Sequence, residues 1–364
     1  MTDTAIHCKE APGAGTSTHP QDKSPADVAC KDGGAASLVS LRIKHSRVAT
    51  IMAEIDALIY RGSQDSLIEI CGPTGVGKSA LVRHMVDTIV ANAQAAMQAD
   101  AGLIPAIYIE APSSGEHEFS WRLFYSRILD QLDGDVADVL PPSSYGIDTQ
   151  SGRMVRSARM ASGSLAALRT AVERALDARG TRVVVVDEAA HIIHQTSPKK
   201  LEVQLNTLKS LANRCNMQMV LVGSYDLYQL MSLSAQLARR SHVLHFGRYR
   251  EDRPEDVRAF AGCVYAFEGA LPHLWAGELM PYAQALHENT LGCVGTLNAV
   301  LTRTARRMEL GALLPDALHR SLLAEVQRQQ ILEETYTGEA AINPGLTRTL
   351  PKLVRKPRAI GGLA

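Results

Sequence analysis

The chain has 364 residues, 46% of them hydrophobic, and its 38 Lys and Arg balance 38 Asp and Glu. That length suits two compact domains with tails; no run of about eighteen apolar positions marks a membrane span, and no basic-then-apolar start marks a secretory signal. Zero net charge excludes a globally basic nucleic-acid binder, and six cysteines without a CxxC pair (Cys8, Cys30, Cys71, Cys215, Cys263, Cys293) fit reduced thiols of a cytosolic protein rather than disulfides or zinc.

Residues 1–37 are rich in Gly, Ala, Ser, Thr, Pro and Asp and poor in large apolar side chains, which predicts a disordered arm. From Val39 to Arg61, Val48, Ile51, Ile55, Leu58 and Ile59 fall on one face of an amphipathic helix, most simply a packing helix. Ser66 to Cys71 (SLIEIC) then reads as a short buried strand. Next come Gly72, Pro73, Thr74, Gly75, Val76, Gly77, Lys78, Ser79 and Ala80, the run GPTGVGKSA, with helical apolar spacing from Lys78 onward.

Glycines in a strand-to-helix turn permit positive φ and leave room for successive backbone N–H groups to converge on a phosphate at a helix N-terminus. In such a P-loop Lys78 reaches the β- and γ-phosphates of ATP, and Ser79 ligates the Mg²⁺ that bridges them.

Leu103 to Glu110 (LIPAIYIE) reads as a second strand and Phe119 to Leu132 as a helix. Pro141 to Ser164 is loop-like, and its Arg153, Arg156 and Arg159 suit either a solvated basic loop or contact with phosphate backbone. After a helix at Leu165 to Ala178, Thr181 to Glu188 (TRVVVVDE) places four β-branched residues ahead of two carboxylates. That is a strand buried on both faces, as in a parallel sheet, with Walker B character. Asp187 would hold the Mg²⁺ through water, and Glu188 would orient or deprotonate the attacking water. His191 and His194 lack HExxH spacing and a third ligand, so they read as a helical turn beside the site.

Lys200 to Asn213 (KLEVQLNTLKSLAN) is an amphipathic helix, and Met217 to Gly223 (MQMVLVG) another buried strand. Ser224 at its end suits a γ-phosphate sensor or a plain turn serine. Gln236 to Arg240 (QLARR) closes a helix before the strand His242 to Phe246. Its arginines complement a helix dipole or, in an oligomer, present a guanidinium to a neighbour's γ-phosphate, Arg240 first and Arg239 second. Helices follow at Pro254 to Phe267, Met280 to Asn289, Val294 to Glu309 and Pro315 to Gln330. The Pro- and Gly-containing tail after Glu333, with Arg348, Lys352, Arg355, Lys356 and Arg358, reads as a flexible basic arm for a partner or DNA. The organisation is thus an arm (1–37), an α/β nucleotide-binding domain (38–250), a helical lid (251–332) and a tail (333–364).

An α/β P-loop core with a parallel sheet and a small all-α lid is similar to the AAA+ class of NTPases. Within it the chain resembles the TniB and TnsC type of transposition ATPases. The stretches that carry this are GPTGVGKSAL, VVVVDEAAHI, QLNTLKSLAN with MQMVLVGSYDL, and QLARRSHVLHF leading to FEGALP, with LGCVGTLNA (Leu291 to Ala299) as a fifth. The likeness spans roughly Arg47 to Gly311. One departure is Thr296 after Gly295, where many AAA+ lids carry a sensor arginine; Arg303, Arg306 and Arg307 lie further along that helix.

The resemblance implies a slow, regulatory ATPase using ATP and Mg²⁺ that self-associates into rings or filaments on double-stranded DNA. It would link a TniQ/TnsD-like target-selection protein to the transposase, in a bacterial cytoplasm and on the nucleoid when DNA-bound, with no membrane. A nucleotide-gated protein scaffold, or another AAA+ machine such as a helicase loader or secretion-associated ATPase, remains the alternative.

Overall fold

The computed structural model describes residues 5–7, 34–59, 66–113, 119–132, 145–147, 154–156, 164–192, 198–227 and 241–342. Strand β1 (Ala5–His7) pairs in parallel with β2 (Arg42–Lys44), and helix α1 (Ala35–Ser40) precedes β2. These elements correct two expectations: the arm is not structureless through residue 37, and the helix expected from Val39 to Arg61 is two helices. The physical reason is that the halves serve different cores. Ala35 and Leu38 of α1 enter the core of the C-terminal helices, whereas Ile51 and Ile55 of α2 (Ser46–Leu58) pack under the sheet. The chain turns between them through extended Leu41 and His45.

Five parallel strands form the central sheet: β3 (Leu67–Cys71), β4 (Ala106–Glu110), β7 (Val183–Asp187), β8 (Gln218–Gly223) and β9 (Ser241–His245), in the order β4-β7-β8-β3-β9. The run Val183 to Val186 is buried on both faces. Val183 and Val185 face α2 and α3 (Lys78–Asn92), while Val184 and Val186 face α5 (Trp121–Leu132), α6 (Leu165–Ala178) and α7 (Pro198–Arg214). Each such valine is worth about 1.5–3 kcal/mol of burial, which explains why unbroken β-branched runs sit mid-sheet. A short helix α4 (Gln94–Ala99) extends α3. The stretch expected as loop between Pro141 and Ser164 contains an antiparallel pair, β5 (Tyr145–Ile147) and β6 (Met154–Arg156). Tyr145, Ile147 and Val155 have the β preference that the surrounding Pro, Ser and Gly hid. Arg156 ends β6, whereas Arg153 and Arg159 lie outside the described residues.

The helical C-terminal region, in the place of the expected lid and called so below, comprises α8 (Pro254–Ala270), α9 (Pro272–Trp275), α10 (Ala283–Thr290, entered through a 3₁₀ turn at Met280–Tyr282), α11 (Val294–Glu309), α12 (Leu314–His319) and α13 (Glu325–Ile342). Phe260, Trp275, Leu297 and Leu301 are among its core. The single helix expected from Pro315 to Gln330 is broken. Asn289 brackets the break, its side chain accepting from the Leu323 N–H at 2.9 Å and donating to the Leu323 carbonyl at 3.2 Å. The tail expected from residue 333 begins later, because α13 runs on to Ile342 and buries Thr335, Gly338 and Glu339. No helix among the described residues is long and apolar enough to cross a membrane.

Candidate nucleotide site

Parallel strands send all their C-terminal ends to one edge of the sheet, where ligands of open α/β sheets bind. At that edge β3 runs into the Gly72–Ser79 turn, β7 into Glu188, and β8 into Ser224. Gly75 (φ 80°) and Gly77 (φ 111°) take the positive φ that the sequence anticipates. Gly72 does not; it is needed for close approach instead, since a Cβ there would overlap the Phe246 carbonyl. Gly77 is the N-cap of α3, and no side chain caps that helix. The first-turn N–H groups, including those of Lys78, Ser79 and Ala80, therefore have no intrahelical acceptor and point into an open cradle. A phosphate fits that cradle by charge and by geometry.

Lys78 is folded onto its own turn, its Nζ donating to the carbonyls of Gly72 and Pro73 at 3.0 Å each. Burial lowers its pKa, while Glu188 and Asp187 oppose the shift. Pro73 also accepts from the Val76 N–H at 3.3 Å, which with Thr74 between them shapes the tip. Asp187 is buried and Glu188 exposed, and Glu188 takes φ 51°, turning the chain sharply after the strand. The Asp187 carboxylate accepts from the Glu188 N–H at 2.9 Å and from the Tyr108 hydroxyl at 2.7 Å. Oxygen donors on Ser79 and, through water, Asp187, few in number, suit a Mg²⁺ that takes its remaining ligands from phosphate and water. Among the described residues no cluster of three or more His, Cys, Asp or Glu could hold a metal alone.

Ser224 lies next to the end of β7, and its hydroxyl donates to Asp226 at 3.1 Å. His191 belongs to the 3₁₀ turn Ala189–Ile192, and His194 lies outside the described residues. Arg239 and Arg240 also lie outside them. Ser241, which follows them, pairs with Leu67 at the start of β3, while the phosphate turn leaves its far end after Cys71. Of the lid arginines, Arg303 donates to the Ser321 carbonyl at 2.9 Å and Arg307 to that of Arg320 at 3.5 Å, so neither turns to the cradle.

Several contacts escaped the sequence. The N-terminus of α11 presses on the turn, where the Thr296 N–H donates to the Gly75 carbonyl at 2.8 Å. Beside it a cavity is bounded by Ile43, His45, Gly77, Val294 and Asn298. His45 is held neutral there, its pKa lowered to about 4 by burial and then by Arg47, with Nδ1 2.9 Å from the Tyr249 hydroxyl. Read as one helix, residues 39–61 gave no sign of this wall. Cys71, Cys215, Cys263 and Cys293 are buried.

Residues 60–231 match the family model described as an AAA domain. Together with the sheet order, the turn and the helical C-terminal region, this is the AAA+ P-loop fold. The chain is similar to three solved structures, each 14% identical to it. The Walker-type ATPase of Pyrococcus abyssi matches over 79% of this chain and 73% of its own, with a TM-score of 0.47. The ORC2 protein of Aeropyrum pernix matches over 80% and 68%, with a TM-score of 0.47. Cdc6p of Pyrobaculum aerophilum matches over 82% and 69%, with a TM-score of 0.46. No curated protein matches the chain.

Proposed function

We propose that this chain, built on an AAA domain, is an ATP-hydrolysing switch that assembles on duplex DNA and recruits a transposase to it. One observation carries the hydrolytic part: the uncapped start of α3 with Lys78 and Ser79 lies at the same sheet edge as Asp187 and Glu188. Backbone N–H groups of the turn bind the phosphates, and Lys78 exchanges the Gly72 and Pro73 carbonyls for β- and γ-phosphate oxygens. Ser79 and Asp187 would hold Mg²⁺, which supplies neutralisation of the developing phosphate charge. Glu188 takes the proton of the water whose oxygen bonds to the γ-phosphorus as the bond to the β-phosphate oxygen breaks and ADP leaves. The cavity beside Ile43 and His45 receives the base. Ser224 reports the γ-phosphate to the end of β8. Arg240, or Arg239, would serve a neighbouring copy, a role that rests on the resemblance of QLARRSHVLHF to oligomeric ATPases.

The DNA and transposase parts rest on the resemblance of QLNTLKSLAN, MQMVLVGSYDL and QLARRSHVLHF to transposition ATPases. Binding would be largely independent of sequence, made to phosphates and duplex shape, and hence salt-sensitive. A target-selection protein would mark the DNA, and hydrolysis would release the assembly.

Retention of labelled duplex on filters, with ATP and with ADP at two salt concentrations, tests this. ATP-dependent, salt-sensitive retention is expected; Lys78→Ala should abolish nucleotide binding. Glu188→Gln should slow hydrolysis by about 10²–10⁴-fold while trapping the DNA-bound assembly. ATP binding with indifference to DNA would instead favour a nucleotide-gated protein scaffold.

A further inference from the structure

The edge strand β4 carries a phenol that the hydrolytic scheme does not use. Tyr108 stands opposite Val185 in the register, two residues before Asp187, so alternate residues bring Tyr108 and Asp187 to the same face of the sheet as α3. Its hydroxyl donates to Asp187 Oδ2 at 2.7 Å, while Oδ1 of the same carboxylate takes the Glu188 N–H at 2.9 Å. With one donor on each oxygen, the Asp187 carboxylate has one orientation, and each oxygen keeps a lone pair. Tyr108 is itself held from α3. Arg83, one helical turn after Ser79, lies with its guanidinium 5.1 Å from the Tyr108 ring centroid and Nη2 3.5 Å from the hydroxyl. The chain Ser79–α3–Arg83–Tyr108–Asp187 thus joins the two sides of the site through side chains on different elements.

We infer that Tyr108 is a positioning residue for Asp187, fixing its carboxylate towards the Ser79 side so that the pair can share a divalent cation, with Arg83 steadying the phenol. The inference rests on the ATPase reading above and assigns Tyr108 no contact with nucleotide. A packing tyrosine would serve equally well as phenylalanine; a positioning one would not. Partners that orient a metal's ligands typically contribute 10–100-fold to metal affinity.

The test is Tyr108→Phe, which keeps the ring and its contact with Arg83 and removes only the hydroxyl. Affinity for a fluorescent ATP analogue is measured in EDTA and across a Mg²⁺ titration, alongside kcat and KM. Expected are an EDTA affinity within twofold of the parent, a Mg²⁺ half-saturation raised about tenfold, and a loss in kcat larger than any change in KM. Arg83→Gln should shift Mg²⁺ half-saturation in the same direction by a smaller factor. If Tyr108→Phe matches the parent in Mg²⁺ half-saturation, the assignment is wrong while the ATPase reading stands. If Mg²⁺ leaves the parent's own nucleotide affinity unchanged, the ATPase reading fails and the assignment with it.

Discussion

Glu69 is the residue in β3 least at home in its surroundings. It is 1% exposed, its strand neighbours in register are Leu221 and Val243, and its Oε2 has no hydrogen-bond partner among the described residues. Burial pushes its pKa from 4.5 to about 8. A carboxyl raised in the folded state costs nothing below its unfolded pKa, where both states are protonated. Between about 4.5 and 8 the unfolded chain ionises and the folded one does not, so stability falls as pH rises through that window. The fall is on the order of 1.4 kcal/mol per pH unit. Glu69→Gln cannot ionise and should be indistinguishable from the parent near pH 4.5 in urea unfolding, then progressively more stable towards pH 8. Parallel stability curves for the two proteins across that range would show that Glu69 finds a partner for its charge.

At the scale of elements, the parts of the site that were legible in sequence are those whose chemistry is local. GPTGVGKS specifies its own turn, and four consecutive valines specify a strand with both faces covered. What stayed hidden depends on partners far away in the chain. The break before α13 is held by Asn289, 34 residues from Leu323. The Tyr108–Asp187 bond exists only because β4 and β7 pair in a particular register. The seat of α11 on the phosphate turn is another such contact, and it accounts for two glycines at once. A Cβ on Gly295 would stand 2.6 Å from the Gly75 carbonyl oxygen, and one on Gly75 would overlap the Thr296 hydroxyl. The lid therefore meets the P-loop backbone to backbone, where many AAA+ lids offer an arginine. Gly295→Ala should force α11 away from the turn, because the new Cβ meets backbone that cannot simply turn aside. It should cost about 1–3 kcal/mol of stability, as overpacking does, and weaken ATP binding together with it. Calorimetry with and without ATP checks both, and an unchanged ATP affinity would separate the lid contact from nucleotide binding.

For the whole molecule, the question is what holds lid and core in one arrangement, since the last helix of the lid returns to the core. Gly338 of α13 lies so close to Tyr225, just after the β8 end, that a Cβ would overlap the ring. One residue on, Glu339 meets Arg248, in the connection from β9 to the lid, with Arg248 Nε donating to Glu339 Oε1 at 3.0 Å. The side chains of this pair are 7% and 2% exposed. Arg250 Nη1 stands 4.0 Å from the other carboxylate oxygen. A pair this deeply buried adds little net stability over an apolar pair, but losing one partner strands a charge, at about 3–5 kcal/mol. Glu339→Ala should therefore destabilise the protein by that amount in urea unfolding. Adding Arg248→Met, which removes the stranded guanidinium and keeps an apolar stem, should recover most of the loss. The order of the effects is the discriminating feature: a double variant less stable than Glu339→Ala alone would mean that Arg248 is held by the Leu291 carbonyl, its other acceptor at 3.5 Å, and not by α13. With recovery, the connection between β9 and the lid is clamped by a helix that also rests beside Ser224, so any lid movement has to loosen the buried pair or carry α13 with it.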